Sequence, residues 1–209
     1  MSRTQSKKNI FSTGRRKTLS RLLAACIFVL FVATRDPFLL NAKLNITMGF
    51  VGLILVSIAA FGRLWSTLFI GGKKSRELIK SGPYSMSRHP LYLFSSMGML
   101  GLGLASCNLV VLICLLLGFV IYYPGVMLTE EEKLYRKHGE DFTQYCSQVP
   151  RFLPNFLIFR QPENAWVSVT MFNKALLDNI WFILGFILIR SVVWLHYFEL
   201  IPAYSLSLF

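Results

Sequence analysis

The sequence predicts an all-α protein: an integral membrane helical bundle of about five transmembrane helices with a polar helical segment on the cytoplasmic side. Hydrophobic residues make up 54% of the 209 residues and charged residues only 15%, and the mean hydropathy is +0.53. Soluble domains carry about 25% charged residues. The apolar residues also fall in blocks of roughly 17 to 25, the length that a helix needs to cross the hydrocarbon core.

Five apolar blocks define the predicted spans. The first is the weakest, because Arg35, Asp36 and Pro37 interrupt it. The third is short and rich in glycine, so we expect it to form a tight pair with the fourth across a joint at Ser106-Cys107-Asn108. In chain order, the spans cover about Leu22–Thr34 with an extension to Leu40, Ile46–Ile70, Leu91–Ala105, Leu109–Leu128 and Leu176–His196.

Positive charge is unevenly distributed along the chain, whose net charge is +12. Seven Lys and Arg lie in residues 1–21, five in 71–90 and six in 129–175. With five spans these segments share one side, which the positive-inside rule makes cytoplasmic, and the C-terminal tail lies outside. The charge therefore indicates topology first and contact with anionic membrane lipids second, rather than nucleic-acid binding. We expect residues 1–17 to be a disordered tail and residues 18–209 to form one membrane domain.

The four cysteines show no spacing that is typical of a metal site, and three of them lie in or beside apolar blocks. We expect them to act as small hydrophobic side chains. The sequence predicts no metal site.

The stretch Gly82–Tyr92 is unusually polar for the start of an apolar block. Arg88 offers a planar fork of donors for an anion, and His89 offers a donor and an acceptor near neutral pH. The tyrosines supply aromatic faces that attract cations. Pro90 suits the first turn of a helix, so the preceding residues lie at a helix N-terminus, where anions are favoured. The alternative is a basic membrane anchor with an interfacial aromatic belt.

A polar insertion, Thr129–Lys174, separates the fourth and fifth spans and contains six of the ten acidic residues. Its first part, about Glu130 to Ser147, is predicted to be helical with a break at Gly139, and two prolines then end the regular structure. The run Glu130-Glu131-Glu132 allows two interpretations. It either forms a charged helix start that the macrodipole favours, or it supplies a carboxylate that binds an ammonium group or a ribose hydroxyl.

The predicted topology brings the two polar segments together. The third span begins at the first segment and the fourth span ends at the second, so a hairpin of these spans places both at one membrane face. Two further arginines, Arg63 and Arg190, lie inside apolar blocks, where ionisable residues are functional candidates by default. Arg63 lies about two helical turns from the cytoplasmic end of its span, whereas Arg190 lies nearer the outer half of the fifth span.

Two ordered motifs stand out in the polar segments. Their residues are Gly82-Pro83-Tyr84 with Arg88–Leu93, then Glu130–Leu134, Gly139, Phe142, Tyr145 and Val149–Pro154, with Arg63-Leu64-Trp65 and Leu68 upstream. Together they resemble the two signatures of the isoprenylcysteine carboxyl methyltransferase family, over about residues 49–155. Phe94 departs from the pattern, because many relatives have glycine there, and so does His138, where an aromatic residue is usual.

This resemblance implies an integral membrane methyltransferase that uses S-adenosylmethionine and methylates a lipophilic small molecule or prenylated peptide, most like a prenylcysteine α-carboxylate. The implied catalytic residues are Arg151, placed to hold the acceptor carboxylate, and Glu131. In the implied site, arginine and histidine suit the carboxylate of the donor, a glutamate suits its ammonium group or ribose, and tyrosines suit its sulfonium or adenine. The implied cofactor-binding residues are Tyr84, Arg88, His89, Pro90, Tyr92, Leu93, Glu130, Glu131 and Tyr145.

The acceptor leaves alternatives open. A carboxylate is already ionised at pH 7 and needs no general base, so alignment and loss of water supply the rate. Methylation of a phospholipid amine or another small lipophilic acceptor would require removal of a proton, and therefore a base. A different class of function is a non-catalytic membrane scaffold that keeps the shape of both motifs.

Overall fold

The computed structural model describes residues 25–35, 41–71, 77–163, 167–201 and 204–205. They form a helical bundle, which confirms the all-α class, and two short strands pair in parallel with Thr34 beside Tyr204. The elements are α1 (25–33), β1 (Thr34–Arg35), α2 (Ala42–Ile70), α3 (Pro83–Met86), α4 (Pro90–Ala105), α5 (Leu109–His138), α6 (Glu140–Gln148), a 3₁₀ turn (Phe156–Ile158), α7 (Val169–Tyr197) and β2 (Tyr204–Ser205).

Among the described residues, three helices are long and apolar enough to cross a membrane: α2, α5 and α7. They contain the predicted second, fourth and fifth spans. The third corresponds to α4, whose 16 residues extend about 24 Å, shorter than a hydrocarbon core of about 30 Å. Of the predicted first span, residues 25–33 are helical, while residues 22–24 and 36–40 lie outside the described residues, as does the predicted tail.

The glycines of α4 face α2 rather than mainly α5. A Cβ atom at Gly52 would lie 2.6 Å from the carbonyl oxygen of Gly101, and one at Gly101 would lie 2.8 Å from that of Gly52. Only glycine at both positions permits this approach of the two backbones. The expected pairing of α4 with α5 does occur, with Gly103 against Leu112, but α2 is the more extensive partner of α4.

Phe94, which departs from the family pattern, packs on a glycine of the facing helix. Its ring lies over Gly62 of α2, where a Cβ atom would fall 2.2 Å from Cδ1 of the phenyl ring. The volume that Phe94 adds to α4 is therefore accommodated by the missing side chain on α2.

The acidic run lies inside a long helix. The interpretation of Glu130–Glu132 as a helix start is wrong, because α5 begins at Leu109 and continues past the end of its apolar part. These acids are thus carried beyond the membrane-spanning part on a rigid extension of the helix. The predicted break at Gly139 is confirmed, with φ of 52°, in the left-handed region that favours glycine.

The helix α6 packs back on the neighbouring polar segments. Phe142, Tyr145 and Val149 form a buried cluster against which Leu78 and Leu134 pack. The first part of the polar insertion is therefore helical, as its sequence spacing predicted.

The two motif segments contact each other directly, at the same end of the bundle, as the hairpin argument predicted. Main-chain hydrogen bonds join them because the stretch after α6 has no regular partner of its own and needs acceptors and donors elsewhere. These bonds run from Gly82 N–H to the Arg160 carbonyl (2.7 Å), from Arg88 N–H to the Pro150 carbonyl (2.9 Å) and from Asn155 N–H to the Met86 carbonyl (3.0 Å).

Candidate functional site

Glu131 is the centre of a charged cluster at this end of the bundle. Its side chain is 11% exposed. It accepts hydrogen bonds from Arg88 Nη1 at 3.0 Å, from His89 Nε2 at 3.1 Å and from Arg151 Nε at 3.1 Å, and Arg151 Nη2 contacts its second oxygen. One carboxylate from α5 therefore joins both motifs and offsets the repulsion between two arginines.

His89 lies at the start of α4 and is buried, with 4% of its surface exposed. Burial lowers the pKa of its imidazole from the ordinary value of 6.5, although the hydrogen bond to Glu131 opposes this shift. The ring is therefore neutral at pH 7, and because a carboxylate only accepts, we assign the proton to Nε2. The other nitrogen, Nδ1, is then an acceptor that lies 3.9 Å from Oε2 of Glu130.

Glu130 presents a second carboxylate beside the first, with 39% of its side chain exposed. Its Oε2 accepts a hydrogen bond from the Tyr92 hydroxyl at 3.0 Å. The ring of Tyr92 in turn packs edge-on against Tyr123 of α5, with centroids 5.3 Å apart. Glu130 is thus the more accessible of the two acids, whereas Glu131 is engaged by its three basic partners.

Two tyrosines hold the short helix α3 against α6. The Tyr145 hydroxyl donates to the main-chain carbonyl of Tyr84 at 2.7 Å. Tyr84 itself is 9% exposed, and its hydroxyl has no hydrogen-bond partner among the described residues. Burial raises the pKa of this hydroxyl well above its ordinary value, so it stays protonated. A buried hydroxyl without a partner costs about 1–3 kcal/mol, which a bound polar molecule would offset.

A cleft lies beside these side chains, between the end of α2, the 77–92 segment, α5 and α6. Seven of the residues predicted for the site line it, and they come from both motifs. The three predicted residues outside its lining are Leu93, Glu131 and Arg151. Those that line it are Tyr84, Arg88, His89, Pro90, Tyr92, Glu130 and Tyr145.

The cleft also has an apolar wall that the sequence reasoning did not single out. Two of its residues, Leu91 and Leu134, lie within the motif stretches. Leu78 and Ile79 form an apolar pair inside an otherwise polar loop, and this pattern could have indicated their burial from the sequence. The additional lining residues are Ile70, Glu77, Leu78, Ile79, Leu91 and Leu134.

Arg151 lies at the edge of the charged cluster, with 47% of its side chain exposed. Its hydrogen bonds to Glu131 raise the pKa of its guanidinium, so it remains charged. The structure therefore shows Arg151 paired with Glu131 and outside the cleft lining.

The helical bundle has, at one end, a partly apolar cleft, a buried charged cluster and a hydroxyl without a partner among the described residues. This combination is typical of the active site of a membrane enzyme. In the described parts of the chain, no group of three or more His, Cys, Asp or Glu residues could hold a metal ion.

Residues 42–141 match the family model described as phospholipid methyltransferase. The chain is 38% identical over 158 residues to the nickel-cobalt-cadmium resistance protein NccN of Alcaligenes xylosoxydans xylosoxydans, covering 73% of this chain and 74% of that protein. It is 39% identical over 142 residues to the cobalt-zinc-cadmium resistance protein CzcN of Cupriavidus metallidurans, covering 68% of this chain and 64% of that protein. No solved structure matches. The chain belongs to the phospholipid methyltransferase family of membrane methyltransferases, which act on lipophilic acceptors.

Proposed function

We propose that this protein transfers a methyl group from S-adenosylmethionine to a carboxylate on a lipophilic acceptor, most like the α-carboxylate of a prenylcysteine. The observation that carries the proposal is the convergence of both motifs on one cleft, whose lining includes Tyr84 with a buried hydroxyl that has no partner among the described residues. The cleft also offers both signs of charge and aromatic faces, which suits a donor that carries an ammonium group, a carboxylate and a purine.

The side chains that line the cleft have complementary roles in this proposal. Glu130 and the acceptor nitrogen of His89 suit the ammonium group or the ribose hydroxyls, because both accept hydrogen bonds. This role for His89 replaces the one that the resemblance implied, binding of the donor's carboxylate, because Glu131 already engages its N–H. Arg88 suits the carboxylate of the donor through the part of its guanidinium that Glu131 does not engage. Tyr84 and the other two cleft tyrosines suit the adenine and the sulfonium.

Glu131 acts through its neighbours rather than by touching the donor. It fixes the guanidinium of Arg88 and the tautomer of His89, and it anchors Arg151 at the edge of the cluster. We therefore assign Glu131 as a positioning residue of the donor site. Arg151, predicted as the residue that holds the acceptor carboxylate, can do so only while it shares its charge with Glu131.

The reaction requires little acid–base chemistry from the protein. When bound, S-adenosylmethionine supplies a methyl group on a positively charged sulfur, and transfer to a carboxylate oxygen leaves a neutral thioether and releases no proton. The chain contributes orientation and exclusion of water, through the apolar wall of the cleft and the main-chain bonds that close the two segments on each other.

Donor binding is the first test. Purified protein in detergent should bind S-adenosylmethionine in a calorimeter, and Arg88→Ala and Glu131→Ala should each weaken binding by at least about tenfold, which is about 1.4 kcal/mol. Arg136→Ala is the matched control, because Arg136 is 75% exposed and pairs with the exposed Glu132. Absence of binding at millimolar donor in the wild type would contradict the proposal, as would normal binding by both cluster variants.

Product analysis distinguishes the acceptors. The wild type, incubated with labelled donor and native membranes, should yield a base-labile methyl ester that mass spectrometry identifies on a lipophilic carboxylate. The name of the matching family favours a phospholipid amine as the second candidate, for which the label would be base-stable and the rate would rise with pH. No incorporation despite donor binding would favour a non-catalytic scaffold.

The cytoplasmic location of the site is part of the proposal. The polar segments carry the basic residues that the positive-inside rule assigns to the cytoplasm. A cysteine introduced at Gln144, exposed on α6, should react with a membrane-impermeant maleimide in inverted vesicles and not in intact cells. Labelling in intact cells would contradict the proposed orientation and place α6 outside the cell.

The names of the two relatives refer to resistance to nickel, cobalt, zinc and cadmium. If this chain shares such a role through methyl transfer, its expression should raise the tolerance of a sensitive host to these metals. The Glu131→Ala variant should then fail to do so, at equal abundance in the membrane. Equal tolerance with this variant would separate metal resistance from the proposed reaction.

A further inference from the structure

Arg63 is an arginine of α2 that contacts neutral groups on two other helices. Its Nε donates to Asn179 Oδ1 of α7 at 3.2 Å, and its Nη1 donates to Ser95 Oγ of α4. Its guanidinium lies 5.3 Å from the ring centroid of Phe182. No carboxylate among the described residues forms an ion pair with it, and no described residue accepts from Nη2. Arg63 is therefore a half-buried cation without a counter-charge in direct contact.

This property separates Arg63 from the arginines of the charged cluster. Arg88 and Arg151 share the carboxylate of Glu131, so their charges are already offset in part. Arg63, inside the bundle, forms no such ion pair among the described residues.

Arg63 is connected to the wall of the cleft through α4. Ser95, which accepts its hydrogen bond, donates to the main-chain carbonyl of Leu91 at 2.7 Å, and Leu91 lines the cleft. One helical turn of α4 separates these two residues, about 6 Å. Tyr92, which lines the cleft, and Tyr123, which contacts it, lie within electrostatic range of the guanidinium, as does the carboxylate of Asp178 in α7. Two hydrogen bonds through α4 therefore connect Arg63 to a residue of the cleft wall.

We infer that Arg63 recognises the anionic head group of the acceptor, and so makes this enzyme selective for lipophilic carboxylates over lipophilic amines. The inference rests on the proposed function and identifies the residue that sets its substrate class. A guanidinium that forms no ion pair in a low-dielectric region attracts an anion and repels an ammonium group. A lipid-like acceptor keeps its chain in the bilayer, so its head group approaches the cleft from the depth at which Arg63 lies.

A second intramembrane arginine provides a matched control. Arg190 of α7 also holds neutral groups on α2 and α4: its Nη2 donates to Asn45 Oδ1 at 2.8 Å, and its Nη1 donates to the Ala105 carbonyl at 3.3 Å. These partners lie at the opposite ends of α2 and α4 from the cleft. Arg190 thus links the same three helices without access to the site.

The experiment compares two ligands that differ in one charge, a farnesylcysteine with a free carboxylate and the same compound as its carboxamide. In the wild type the carboxylate should bind at least about tenfold more tightly than the carboxamide. Arg63→Gln should bring this ratio close to one by weakening only the carboxylate, while donor affinity stays within twofold. Arg63→Lys, which keeps the charge, should preserve most of the ratio, and Arg190→Gln should leave it unchanged.

Two outcomes would overturn the inference. One is a ratio that survives in Arg63→Gln, and the other is an equal loss of affinity for both ligands, as expected if Arg63 only holds helices together. Because the ratio is a binding measurement, it does not depend on turnover. A wild type that binds the carboxylate selectively but transfers no methyl group would contradict the proposed function and leave the role of Arg63 intact.

Discussion

Replacement of Glu131 by glutamine tests the charged cluster most directly. The amide keeps the size of the side chain but removes its charge and turns two donor hydrogens toward the surrounding arginines. Loss of one partner from a buried ion pair costs about 3–5 kcal/mol. Arg88 is 17% exposed, so most of this cost applies to its pair with Glu131. Arg151 is 47% exposed, so the loss of its pair with Glu131 costs less, closer to the value for a surface ion pair. We expect the free energy of unfolding to fall by about 2–4 kcal/mol.

The neighbouring acid supplies the control for this prediction. Glu132 pairs with Arg136 one turn along α5, and both side chains are largely exposed, at 60% and 75%. Glu132→Gln should therefore cost only about 0.3–0.5 kcal/mol. Chemical denaturation in detergent, followed by tryptophan fluorescence, measures both variants under identical conditions. The reasoning is refuted if Glu131→Gln destabilises the protein no more than Glu132→Gln does.

Three further predictions concern packing, pH and the cleft. Gly62→Ala should lower the melting temperature, because the added Cβ atom meets the ring of Phe94. Gly118→Ala should leave it unchanged, because no atom lies within 4 Å of that position. Equal melting temperatures for the two variants would contradict the contact between Phe94 and Gly62. Burial lowers the pKa of His89, so the unfolded state binds protons more tightly, and the free energy of unfolding should fall as pH drops below 6.5. His89→Gln should flatten that pH profile, and an unchanged slope would argue against a buried neutral ring. Tyr92→Phe removes a hydrogen bond to the accessible acid of the cleft and should weaken donor binding about five- to tenfold, measured by calorimetry; unchanged affinity would place that hydroxyl outside the donor site.

Local chemistry made much of the site predictable. Pro90 at the first turn of α4 and the break at Gly139 follow from backbone restrictions that each residue imposes by itself. The apolar blocks of α2, α5 and α7 follow from the solvent that surrounds them. The pairing of both motifs followed from chain connectivity, since two helices joined by a short turn return the chain to the face where it started.

The division of labour between adjacent acids could not be predicted. Glu130 and Glu131 are the same residue type, but on a helix their side chains point about 100° apart. One accepts from Tyr92 at the accessible edge, and the other is enclosed by Arg88, His89 and Arg151. Which acid faced which side depended on the rotation of α5 relative to the loops that pack on it.

By itself, then, the sequence determined that this chain is a membrane helical protein with two motifs at one end, because burial of apolar blocks and helix-breaking residues act locally. Tertiary structure alone decided which charges are compensated. Arg151 forms an ion pair with Glu131. Arg63 forms hydrogen bonds to neutral groups and no ion pair with a carboxylate among the described residues. Charge compensation depends on distances of a few ångströms between residues far apart in the chain, and only the packed bundle sets those distances.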